Sequence, residues 1–366
     1  MKSILLSMLF MVSAVLSMAQ QTFNTKYDFV PGEKLIAYED FSAAQLGDFP
    51  VKWNTNATAE VVTLNNKPGK WFKINKEGVF HPEFINNLPE NFTLEFDLGI
   101  NPDWNAVPFV LNIASFESPD DYRDYHHYVN WRGSHAIHFE FQPAILEQRR
   151  GNIKLIAGRD GNHSVDSDIE HDAWDNGSNN FAHISIWRQN QRLRVYVNGE
   201  KVFDVPRVFD SLTKYNAITF AAQSPNDLND YFVINNIRLA VGAADTRNKM
   251  MTQGKFVTRG ILFDPNTASL QPASYGVLKD ISNVLKENPG TKFRIIGHTD
   301  SDGDDKFNAD LSRRRAAAVK DFLVKEFGID ANNLEIEGKG ESAPVDNNNT
   351  VEGKANNRRV EFVKLK

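Results

Sequence analysis

Gly297-His298-Thr299-Asp300 and, after seven residues, Asn308-Ala309-Asp310-Leu311-Ser312-Arg313-Arg314-Arg315-Ala316-Ala317-Ala318-Val319 decide how this chain is read. Lys292-Phe-Arg-Ile-Ile-Gly297 leads into the first stretch and reads as a strand, and the second opens a helix over 311–327 that Gly328 stops. Asp300 therefore stands where a strand ends, Asn308 near the start of the next helix, and Arg315 one to two turns inside it, on the face of Leu311 and Ser312. A carboxylate and a guanidinium so placed form a two-pole clamp for a zwitterionic head group. Aspartate takes an ammonium, arginine takes a carboxylate bidentately, and free N–H groups at the helix start add donors.

Outward from this pair, 256–263, 334–338 and 359–363 read as further strands. Leu278, Ile281, Val284 and Leu285 share one face of a helix over 273–288 that ends at Pro289-Gly290. The order strand–helix–strand–helix–strand–strand (βαβαββ) predicts an α/β domain over 255–366. Residues 241–254 are small and polar and predict a linker. Residues 20–240 read differently. Phe92-Thr-Leu-Glu-Phe-Asp-Leu98, His183-Ile-Ser-Ile-Trp187, Leu193-Arg-Val-Tyr-Val197 and 231–239 alternate with a period of two, and Asn198-Gly199 marks a tight hairpin into Lys201-Val-Phe203. The prediction is a multidomain chain: an N-terminal all-β jelly-roll sandwich followed by the C-terminal α/β domain.

The 366 residues suit two domains, and 41% hydrophobic with 24% charged residues suits a chain that folds. The net charge of −6 provides no footprint for non-specific nucleic-acid binding. With no cysteine there is no disulfide, thiolate zinc site or cysteine nucleophile. Met1-Lys2, the apolar run over 4–18 and Ser17-Met18-Ala19 read as a secretory signal peptide over 1–19. That run is shorter than the ~20 residues a spanning helix needs. The mature protein is expected to be soluble and exported.

The two opening stretches, with Glu341-Ser-Ala-Pro344 and Asn356-Asn357-Arg358-Arg359-Val360-Glu361, resemble the OmpA-like peptidoglycan-binding domain. Its pattern is a GHTD turn, then N-x-x-L-S-x-x-R-A-x-x-V, then G-x-x-x-N-R-R-V. The resemblance covers 255–366 and implies peptidoglycan as partner, gripped at the diaminopimelate end of its stem peptide. It implies Asp300 and Arg315 as principal contacts and Thr299, Asn308, Asn266 and Arg358 as secondary ones. Arg359 is expected to brace the fold, Arg313 and Arg314 to be solvated, and His298 to shape the turn. Asp302 departs from the family and places a negative charge near the ammonium pole. Residues 20–245 lack the alternating ten-residue strands of a membrane barrel.

Glu39-Asp40-Phe41-Ser42, Gly47-Asp-Phe-Pro50, Trp53, 92–96 and Val195-Tyr-Val-Asn-Gly199 resemble concanavalin A/laminin-G-like sandwiches. Such folds often stack aromatic side chains on sugar rings, which makes Trp104, Trp131 and Trp174 candidates, with Trp187 assigned to core. Glycosidases of this fold carry E-x-D-x-x-E, and the nearest string, Glu170-His-Asp172-Ala-Trp-Asp175, ends in the wrong residue. His126, His127, His135 and His138 have no metal-ligand spacing, and Asp124, Asp160, Asp166 and Asp168 have none that defines a calcium site. No metal and no cofactor are expected. The expected protein is a non-catalytic, periplasmic, peptidoglycan-bound scaffold whose sandwich meets a glycan, an outer-membrane protein or a secretion-complex protein. The rival is a glycan hydrolase tethered to the wall by its C-terminal domain.

Overall fold

The computed structural model describes residues 29–101, 108–124, 136–144, 150–159, 162–174, 180–222, 230–242 and 246–366. The leader expected over 1–19 lies outside them. The N-terminal half is built from two antiparallel sheets. One runs in the order Glu200–Val205, Arg192–Val197, Phe181–Gln189, Asn91–Ile100, Phe232–Val241, Lys67–Ile74, Glu60–Leu64, with Lys34–Glu39 also paired to Phe232–Val241. The other runs Asn162–Glu170, Asn152–Arg159, Ala136–Gln142, Phe109–Ala114, Ala217–Ala222, Gly78–Pro82, Trp53–Thr55.

Alternation along Asn91–Ile100 explains why the sheets face each other. Leu94, Phe96 and Leu98 enter a core shared by both sheets, while Thr93, Glu95 and Asp97 emerge on the outer face. Aromatic rings fill that core: Trp53 lies 5.0 Å from Phe72 and 5.9 Å from Phe220, and Phe41 stacks on Phe72 at 5.5 Å. Asn198 and Gly199 have φ of 48° and 84°, the left-handed pair that a two-residue hairpin requires.

The outer face of the first sheet is not bare. The Gly32 N–H donates to Thr93 Oγ1 at 2.9 Å, and Phe29 packs against Trp187 and Tyr196, joined by Tyr275 from the C-terminal half. Trp187, expected in the core between the sheets, belongs to this outer cluster. Arg259 Nη1 donates to the Glu33 carbonyl at 2.9 Å, Lys249 pairs with Glu33, and Ala355 packs against Leu35 and Ala240. Residues 29–35 are thus a layer between the sandwich and the C-terminal half.

The C-terminal half holds a four-stranded sheet in the order Lys255–Thr258, Val360–Lys364, Phe293–Gly297, Leu334–Gly338, the last two parallel. Helices α1 (Thr246–Met251), α2 (Tyr275–Glu287), α3 (Asp305–Phe327) and α4 (Val351–Asn357) accompany it. Leu278, Ile281, Phe293, Ile295, Val319, Leu323 and Phe362 meet in its core.

Four expectations are corrected. Part of the stretch expected as linker is α1, whose Met250 is fully buried in that core. The strand expected over 256–263 is Lys255–Thr258, with Phe263 only bridged to Leu270. Helix α3 starts six residues early because Asp304 caps it, accepting from the Lys306 and Phe307 N–H groups. Helix α4 adds a turn before the last strand, so the order is not βαβαββ. Among the described residues no helix is long and apolar enough to cross a membrane.

Candidate functional site

The site forms where Phe293–Gly297 ends beneath α3. A Cβ at Gly297 would meet the Ser312 carbonyl at 2.2 Å, and one at Gly338, its register partner, would meet the Arg313 nitrogen at 2.5 Å. Only glycine lets helix and sheet approach so closely. Ser312 Oγ then accepts from the Gly340 N–H at 2.8 Å, and residues 298–300 leave the strand beside the first turns of α3.

Asp300 is buried, with both carboxylate oxygens engaged. Oδ1 accepts from the Asp302 N–H at 3.1 Å and Oδ2 from Arg358 Nη1 at 2.6 Å. Burial works against the charge on Arg358, but Tyr38, Asp300 and Asp40 outweigh it and lift its pKa above the ordinary arginine value.

Arg315 is the contrasting group. Its Nε donates to the Thr267 carbonyl at 2.9 Å, and its guanidinium carbon lies 4.9 Å from the centroid of the Phe263 ring. Among the described residues it has no carboxylate within ion-pair distance and its terminal nitrogens have no protein partner. Burial, reinforced by the positive charge of Arg358 and partly offset by Asp300, lowers its pKa to about 10, so it stays charged at neutral pH. The expected clamp therefore has one pole open and the other occupied by the protein's own arginine.

The secondary residues sort by what they touch. Thr299 donates its N–H to the Gly340 carbonyl, and its buried hydroxyl has no partner among the described residues. Asn266, exposed and left-handed at φ 59°, sits in the turn whose next carbonyl holds Arg315. Asn308 is brought to the site as a brace rather than a contact: it is buried, and its Nδ2 serves the Asp300 and Asp302 carbonyls and Glu341 Oε2 at 2.6 Å. Arg359 is held by Glu361 and the Asn357 and Ala343 carbonyls. His298 Nε2 is 3.5 Å from Glu361 Oε1. Burial would raise the pKa of Glu361, but His298, Lys255 and Arg359 hold it well below the usual carboxylate range. The charge of Asp302 is answered by Lys354 at 2.6 Å, which removes the expected excess at the ammonium pole.

Residues 262–358 match the OmpA family, a span that contains Asn266, Thr299, Asp300, Asn308, Arg315 and Arg358 but not Lys255, Arg359 or Glu361. Residues 262–358 are an OmpA family domain. The relatives agree with this. Outer membrane porin F of Pseudomonas aeruginosa is 44% identical over 101 residues, 28% of this chain and 29% of its own. Probable lipoprotein YiaD of Escherichia coli is 39% identical over 133 residues, 33% of this chain and 60% of its own. Peptidoglycan-binding protein ArfA of Mycobacterium tuberculosis is 41% identical over 108 residues, 29% of this chain and 33% of its own. The chain thus spans less than two thirds of these relatives.

Outside the OmpA domain, the sandwich candidates fare differently. Trp174 is corrected: it is buried in the core, donates Nε1–H to the Leu98 carbonyl at 3.2 Å and meets Phe141 edge-on at 6.0 Å, so its ring offers no face to a sugar. Trp104, Trp131, His126, His127, His135, Asp160 and Asp175 lie outside the described residues. His138 is buried between Asn112 and Glu140, Asp168 accepts from Asn152, Asp166 is 3.8 Å from Lys154, and Glu170 pairs with Arg150.

Four contributors escaped the sequence reading. Phe263 and the Thr267 carbonyl, which position Arg315, belong to the turn quoted only for Asn266. Tyr38 and Asp40 reach Arg358 from the sandwich. No local pattern announces a partner from so distant a stretch.

Proposed function

We propose that the protein binds peptidoglycan non-covalently through its OmpA domain and anchors a cell-envelope assembly, without catalysis. Arg315 receives the carboxylate of a diaminopimelate end, while Asp300, helped by the Thr299 hydroxyl, receives its ammonium. Asn266 borders the ligand and Asn308 holds the loop. The observation that carries this reading is Arg315: a half-buried guanidinium, oriented by a carbonyl and a ring, with no carboxylate within ion-pair distance among the described residues. Such a cation calls for an anion from outside.

Relatives named for the outer membrane and for peptidoglycan binding support an envelope location. We place the chain in the periplasm, against the wall and near the outer membrane. The domains proposed are a leader over 1–19, a concanavalin A/laminin-G-like jelly-roll over 20–240 and the wall-binding domain over 255–366, with α1 from the stretch between them packed into the latter's core. The sandwich would present its surface to a glycan or to an outer-membrane or secretion-complex protein.

Co-sedimentation of the chain from Gln20 with diaminopimelate-type sacculi tests the reading, beside Asp300→Ala and Arg315→Ala. Wild type should pellet and both folded variants stay in solution. Wild type remaining in solution would end it.

A further inference from the structure

The wall-binding site is not built by the OmpA domain alone. Strand Lys34–Glu39 runs along the edge of the sandwich sheet, and it and the residue that follows it deliver two side chains to Arg358. The Tyr38 ring lies 5.4 Å from the guanidinium carbon, and Asp40 Oδ2 lies 4.0 Å from Nη2. Both are fixed from behind. Tyr38 Oη donates to Asn236 Oδ1 at 3.4 Å, and Asn236 Nδ2 donates to Asp97 Oδ2 at 2.6 Å. Asp40 Oδ1 accepts from the Ser42 N–H at 3.0 Å, and the intervening Phe41, at φ 56°, is buried against Phe72 and Trp53. Arg358 itself caps α4, whose Ala355 packs on Leu35 and Ala240 of the sandwich. The spacing is therefore set by packed elements on both sides.

Charge counting shows what the extra carboxylate does. Asp300, Arg358, Arg315 and Asp40 sum to zero, yet the empty site leaves Arg315 unpaired and holds Asp40 at the limit of ion-pair distance. A zwitterion adds one charge of each sign. Its carboxylate can go to Arg315 and its ammonium to Asp300 only if Arg358 gives up Asp300. A guanidinium left there without a carboxylate is costly, because it is one-third exposed and cannot regain full hydration.

We propose that Asp40 of the sandwich is a positioning residue of the wall-binding site: it receives Arg358 when a ligand ammonium takes Asp300, and Tyr38 is the surface over which the guanidinium turns. The bound state then pairs every charge, ligand carboxylate with Arg315, ligand ammonium with Asp300, and Arg358 with Asp40. Wall affinity is in this way tied to the docking of the sandwich on the OmpA domain. The inference rests on the peptidoglycan reading above.

The test uses the chain from Gln20, with diaminopimelate-type sacculi and free meso-diaminopimelate as probes. Asp40→Asn keeps a side-chain oxygen for the Ser42 N–H but removes the charge. It should weaken binding about five- to tenfold, with Asp40→Glu restoring it. In an Arg358→Gln background, where no guanidinium needs a second partner, Asp40→Asn should change nothing further. Thermal melts of every variant report folding. If Arg315→Ala and Asp300→Ala bind like wild type, the peptidoglycan reading itself falls. If they lose binding while Asp40→Asn does not, or if Asp40→Asn is equally harmful without Arg358, the positioning role alone is overturned. Should Asp40→Asn fail to fold, Asp40→Glu against Asp40→Ser carries the same comparison.

Discussion

Arg358 Nη1 stands 2.6 Å from Asp300 Oδ2, whereas Arg315, in the same electrostatic cluster, holds a carbonyl and a ring but no carboxylate. One arginine is satisfied by the fold and the other by nothing the described residues provide. This asymmetry separates two roles that a motif assigns together. Arg358 keeps the carboxylate in place while the site is empty, and Arg315 is the group a ligand anion would meet first. Different consequences follow for removing each.

Arg315→Met should lose sacculus binding and leave stability unharmed. A half-buried charge without a carboxylate partner opposes folding, and methionine restores the volume packed on Phe263 without the desolvation cost. The melting free energy should stay within about 1 kcal/mol of wild type or rise. Denaturant unfolding beside co-sedimentation checks this. A strongly destabilised Arg315→Met would make the guanidinium a structural group and remove the observation on which wall binding rests.

Asp300→Asn should do the opposite and destabilise the fold. It removes the carboxylate 2.6 Å from Arg358 and leaves Asp40, 4.0 Å away, as its remaining anionic partner, at a cost of about 1–3 kcal/mol. Adding Arg358→Gln should return most of that loss, since the second change removes the stranded charge. The coupling read from the four unfolding curves measures the pair. Additive effects would mean that the two groups do not depend on each other in solution.

Trp174→Ala should cost about 3–5 kcal/mol, as expected for a large ring removed from a core, with an added penalty for the Leu98 carbonyl losing its donor. Midpoints of chemical denaturation read it directly. A variant as stable as wild type would return Trp174 to the surface and reopen its use for sugar stacking.

Much of this architecture is legible in the chain, and what is hidden has physical causes. Alternation over Phe92–Leu98 finds a strand because one face must be buried, and Asn198-Gly199 finds its hairpin because few residues tolerate positive φ in succession. Asp300, Arg315 and Arg358 could be named because three separated motifs carry them. Helix α4 stays hidden because seven mixed residues are too few to show a period; its start depends on the Thr350 hydroxyl accepting from the Gly353 N–H. Met250 is buried by tertiary packing that a small polar segment does not reveal. Trp174 lies outside any strand among polar neighbours, and only tertiary packing turns its ring inward onto Phe141 and the Leu98 carbonyl. Asp40 was quoted as part of a sandwich pattern; its approach to Arg358 depends on how two domains dock, and no spacing within either encodes it.

A last expectation concerns pH and lies on the sandwich face that meets the OmpA domain. His183 Nδ1 is 2.7 Å from Asp97 Oδ1, and its Nε2 is 3.5 Å from Glu95 Oε2, while Glu95 also pairs with Arg238 at 2.6 Å. Burial opposes the imidazolium, yet the hydrogen bonds to Asp97 and Glu95 outweigh it and raise the pKa from 6.5 to about 10. The folded state therefore binds this proton more tightly than the unfolded chain. Its stabilisation is complete below pH 6.5 and disappears as pH climbs towards about 10. His183→Gln, which keeps a donor but cannot titrate, should be less stable than wild type at the acid end of that window. The gap should close towards its alkaline end. Parallel melting curves across the window measure this, and a gap that stays constant would show His183 to be neutral in the fold, with Asp97 and Glu95 depending on Asn236 and Arg238 alone.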